Sequence, residues 1–164
     1  MEEDIMSHET RRPLGITFII GFHILNIIFW IIGQGGSVVD YDTVAQWGFV
    51  VPRETLDPVL VAVNRGIGCA DVIIGVPLFI IALIGLWRMR FYGFAFTWMV
   101  LGISFYWTTI AWVKQYFILQ AGVKSLPFDI GTHFMLAFVF LFSLWASWYL
   151  FKKRETFYPA SGSE

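Results

Sequence analysis

From Leu14 to Ile32 the chain reads LGITFIIGFHILNIIFWII without one formal charge. A helix of about 20 such residues covers the roughly 30 Å hydrocarbon core of a bilayer. Comparable runs recur over residues 58–87, 91–114 and 130–151. The predicted fold is therefore an all-α integral membrane protein, a bundle of four transmembrane helices at 14–32, 58–87, 91–114 and 130–151, with an outer loop at 33–57. Composition agrees: 57% of residues are apolar, 19% are aromatic and 14% are charged, against about 25% charged in soluble domains. Arg11 and Arg12 before the first run also suit a secretory signal, but the run exceeds the usual apolar core of one and no A-x-A site follows, so cleavage is not expected.

Local signals place the helix ends. Asp57-Pro58 has the residue types of an N-cap followed by an N1 position. Pro77 withholds one amide inside the second helix, and a kink is expected there. Arg88-Met89-Arg90 forms the next turn, Lys114 is placed to snorkel from the outer end of the third helix, and the fourth begins near Asp129 to Thr132. Basic residues set the orientation, because cytoplasmic loops retain them. Arg11, Arg12, Arg88, Arg90, Lys152, Lys153 and Arg154 share one side, against Arg53, Lys114 and Lys124 on the other. Both tails, 1–13 and 152–164, are thus expected in the cytoplasm. Without retention signals the default location is the cell's cytoplasmic or plasma membrane. In the outer loop, residues 43–47 suit a short interfacial helix ended by Gly48. Asp40 and Asp42 lack the spacing of an EF-hand and read as solvated acids.

Asp71 constrains function most. A carboxylate at the centre of a membrane helix costs about 2.5–3.5 kcal/mol on insertion scales and is a functional-site hypothesis by default. Asn64, Gly68, Asp71 and Gly75 recur at helical spacing and share a face expected to point into the bundle. Arg65 lies on another face, suited to headgroups or to an acid of the outer loop. On the first helix Ile19, His23, Asn26 and Trp30 share a face, and Asn26 is expected near the depth of Asp71. The third helix offers Ser104 and Thr108 on one face, with Thr97, and Tyr106 on another. Together they predict a polar cavity open outward.

Each element also has a plainer reading. Membrane Ser and Thr satisfy carbonyls of their own helix; His23 packs as a neutral ring; Asp71 locks helices together; the aromatics fill belts and core rather than a cofactor box. The chain contains no P-loop, dinucleotide fingerprint, HExxH or GxSxG. His8, His23 and His133 are widely dispersed and Cys69 is alone, so neither a metal nor any other cofactor is expected. A net charge of −1 with basic residues in short clusters gives no nucleic-acid surface. Three functions remain. The first is binding or transport of a small amphipathic or cationic molecule, or a proton, around Asp71. The second is a structural or assembly subunit, self-associated or joined to a membrane partner. The third is an enzyme on lipid-like substrates with Asp71 and His23 as acid and base.

Overall fold

The computed structural model describes residues 12–158; among them no strand forms, and four helices are long and apolar enough to cross a membrane. The first, α1, spans Leu14–Val39. It is α-helical over Leu14–Phe29, widens into a π turn over Trp30–Gly35 and returns to α geometry over Gly36–Val39. The loop expected from Gly33 onward therefore begins later. Glycine has low helix propensity, but here the glycines serve close packing. A Cβ on Gly36 would lie 2.6 Å from Val44 Cγ2, and one on Gly35 would lie 3.2 Å from Val72 Cγ2. Arg65 Nη2 donates to the Val38 carbonyl at 2.8 Å. That carbonyl belongs to the last turn of α1, where acceptors lack intrahelical partners and a cation opposes the helix dipole. Arg65 thus ends a helix instead of meeting headgroups or a loop acid.

The short helix α2, Tyr41–Gln46, forms where an interfacial helix is expected. Asp40 caps it, accepting from the Thr43 hydroxyl at 2.7 Å and the Thr43 amide at 3.2 Å. These bonds hold its carboxyl below the usual range. Gly48 closes α2 at φ +78°. Its N–H donates to the Ala45 carbonyl and that of Phe49 to Val44, the paired bonds of a Schellman motif. Asp42 meets Arg53 at 2.6 Å on the surface, while Tyr41 is buried and its hydroxyl donates to the Val51 carbonyl. Burial pushes that phenol up.

Helix α3 spans Pro58–Trp87. Asp57 Oδ1 accepts from the Val59 amide at 2.8 Å, so the Asp-Pro start behaves as the sequence predicts. Over Asp71–Gly75 the helix is again π, and the Val76 N–H reaches back to the Asp71 carbonyl. Pro77 supplies the reason: it has no amide to donate, and its ring crowds the carbonyl four residues earlier, which a wider turn relieves. Met89, at φ 51°, turns the chain into α4, Phe91–Gln120. That helix extends past its expected end at 114. Helix α5, Ile130–Lys152, starts at Asp129, which accepts from the Thr132 amide at 2.8 Å.

Sequential neighbours pack most closely. Between α3 and α4, Gly85 and Gly93 stand backbone to backbone, since a Cβ on Gly93 would fall 2.0 Å from the Gly85 carbonyl carbon. Gly15 of α1 lies against the Tyr149 ring of α5. One apolar cluster joins Ile16, Ile19, Leu86, Leu101, Ala146 and Leu150 near the chain termini. A second, around Trp30, Phe79, Ala82 and Val100, fills the middle.

Candidate functional site

The two π turns face each other. A Cβ on Gly75 would lie 2.0 Å from the Trp30 ring, and one on Gly68 would lie 2.8 Å from the Gln34 carbonyl oxygen and 3.1 Å from Ser37 Oγ. Gly68, Val72 and Gly75 thus run along the π segment of α1, which confines Asp71 to the level of Gly33 to Gly35. Its side chain is half-buried. Its Oδ2 is buried without a hydrogen-bond partner, and among the described residues no basic side chain lies within 4 Å of it. Asp71 stands near the middle of α3, where the wide turn begins.

This pairing changes the level at which the other candidates sit. Because residues 33–39 are helical, the part of α1 level with Asp71 is the π segment around Gln34, not Asn26. At 1.5 Å per residue Asn26 lies roughly 12 Å away along α1 and His23 roughly 16 Å. Asn26 Nδ2 donates to its own helix at the Phe22 carbonyl, 2.8 Å. His23 is fully buried. Its Nε2 is 3.4 Å from Thr97 Oγ1, and its ring meets Phe79 edge-on. The Thr97 hydroxyl is donated to the Gly93 carbonyl at 2.6 Å. The contact is therefore completed by an Nε2–H of the histidine, which leaves Nδ1 an acceptor with no partner. His23 and Asp71 do not form a pair.

Asn64, two turns from Asp71 on the same face, accepts from Lys114 Nζ at 3.2 Å. The lysine that was expected to snorkel outward is thus held inward, because α4 continues past it to Gln120. Ser104 and Thr108 are buried, but their hydroxyls serve their own helix: Ser104 donates to the Val100 carbonyl at 2.9 Å and Thr108 to Ser104 at 3.1 Å. The register set by Gly85 and Gly93 brings Thr108 to about the level of Asp71. Tyr106, 66% exposed, is on the outer surface, away from the buried face of Ser104 and Thr108. Two grooves lie elsewhere on the bundle. One, about 340 Å³, lies between α1 and α3 near Trp87; the other, about 250 Å³, lies between α4 and α5 at Gly102. Neither is lined by Asp71.

The residues that sequence reasoning missed are Gln34 and Ser37, which pack with Trp30 against the Gly68 and Gly75 face of α3 on either side of Asp71. Trp30 was visible as part of a helix face, whereas the glycines around Gln34 disguised the rest as loop. Among the described residues no three of His, Cys, Asp and Glu converge on a metal-sized space. No family model, no curated protein sequence and no solved structure matches the chain.

Proposed function

We propose that the protein binds a proton or small cation at Asp71 and conducts it between the two sides of its membrane. The observation that carries the reading is the buried, unpartnered Oδ2 of a half-buried carboxylate in an apolar helix, at a break in regular helix geometry. A carboxylate so placed gains from a bound proton or cation, and π turns inside helices are frequent at functional sites. Gln34 and Thr108, from the neighbouring helices, are the nearest polar side chains by level. In this reading α3 bends at the turn before Pro77, and the basic ends of the bundle, with both termini, lie in the cytoplasm.

The test is proton or cation flux into liposomes containing the purified chain, read with a trapped indicator dye. Asp71→Asn abolishes the flux while the protein inserts and melts as wild type, and Asp71→Glu retains part of it. Equal flux through the Asn variant would overturn the proposal.

A second reading has one observation of its own. Ala62, Gly66 and Ala70 recur at i, i+4 and i+8 on an exposed face of α3, and nothing lies within 4 Å of a Cβ placed on Gly66. Small residues at that spacing let two membrane helices approach closely, so the chain would act as a self-associating or assembly subunit.

A further inference from the structure

The groove between α1 and α3 has an apolar floor and a charged mouth. Ile24, Leu83 and Ile84 line its length, and it ends at Trp87 and Arg88. Arg12 covers the Trp87 ring, with its guanidinium carbon 4.4 Å from the ring centroid, and donates from Nη2 to the Trp87 carbonyl at 2.8 Å. Its Nε is buried and has no hydrogen-bond partner. Among the described residues neither Arg12 nor Arg88 has a carboxylate within 4 Å. The groove thus ends at Arg88 with Arg12 laid over its Trp87 wall, and among the described residues neither guanidinium is paired with a carboxylate.

We propose that this groove binds one anionic phospholipid, with an acyl chain along Ile24, Leu83 and Ile84 and the headgroup phosphate between Arg12 and Arg88. Charge complementarity selects the occupant. Two guanidinium groups without a carboxylate beside them attract a phosphate, and arginine presents the planar fork that phosphate accepts best. An apolar helix from another protein would fill the slot but leave both charges bare. A zwitterionic lipid would bring a cation to a place that already holds two. Trp87 sits where interfacial tryptophans sit, at headgroup level, so the head and the chain of one lipid fall at the right depths together. The site is more than 10 Å from Asp71 along α3, at 1.5 Å per residue, and is independent of any ion path there.

The experiment is native mass spectrometry of the full chain in mild detergent, with dioleoyl phosphatidylglycerol and dioleoyl phosphatidylcholine added at equal concentration. The wild type retains one phosphatidylglycerol per chain in preference to phosphatidylcholine. Arg12→Gln and Arg88→Gln each weaken that retention about 5-fold, the worth of one basic side chain beside anionic lipid, and leave phosphatidylcholine unaffected. Arg12→Lys and Arg88→Lys keep the charge and most of the preference. Ile84→Trp, which fills the slot without touching charge, lowers retention of both lipids. Equal retention of the two lipids by the wild type, or undiminished phosphatidylglycerol in the doubly Gln-substituted chain, would overturn the proposal.

Discussion

Asp129 accepts two hydrogen bonds from Thr132, from its amide at 2.8 Å and from its hydroxyl at 3.1 Å, and these hold its carboxyl below the usual range. A group whose folded value is depressed lends stability above its ordinary value, near 3.9, and loses it as pH falls through the folded value. The start of α5 should therefore stay protected from amide exchange down to about pH 4 and open only in more acidic solution. A carboxyl carbon titration by NMR should give a midpoint under the ordinary one, and Thr132→Val should move it part of the way back. An ordinary midpoint would contradict the cap. The Asp57 and Gly48 caps were legible in the sequence, and Asp129 as the start of the fourth helix, because a helix end depends on the two or three residues beside it. Gln34 was not, because its partner is Gly68, on another helix. Ser104 and Thr108 sit on the predicted face, yet only the structure shows that their hydroxyls are already occupied by their own helix.

The four long helices depend on where backbones touch. Gly85 and Gly93 leave no room for a side chain, and what a Cβ would strike there is backbone, which retreats only if α3 and α4 separate. Gly93→Ala should therefore destabilise the protein by about 2 to 3 kcal/mol, at the upper end of overpacking costs. Gly102 is also in α4, but a Cβ there meets nothing within 4 Å. Gly102→Ala should raise stability by roughly 0.5 to 1 kcal/mol, chiefly by restricting the unfolded chain. Thermal unfolding of both variants in one mild detergent checks the pair, and shifts of the same sign would undo the argument. The apolar runs announced the helices, but glycines that break helices in water read as loop in GQGGS. Within a bundle that same stretch continues α1 to Val39, since unpaired backbone in an apolar solvent costs more than low propensity saves.

As a whole the molecule presents many large apolar side chains on its outer surface, among them Phe18, Phe134 and Leu141. Such a surface suits acyl chains and leaves room for protein contacts where small residues gather. If the Ala62, Gly66 and Ala70 face pairs with another copy, native mass spectrometry should find a dimer that Gly66→Leu reduces to monomer. A wild-type monomer would exclude that contact and leave Asp71 to act within one chain. The number of long apolar helices, the start of each and the buried Ser-Thr face of α4 follow from the sequence alone. They rest on hydrophobicity and on hydrogen bonds between near neighbours, both local quantities. Which residues stand level with Asp71 was decided only by tertiary structure. An antiparallel helix pair can slide by a turn with little change in apolar burial, and the register is set where glycines admit a neighbour's bulk, as Gly75 admits Trp30. That packing set Gln34, not Asn26, level with Asp71.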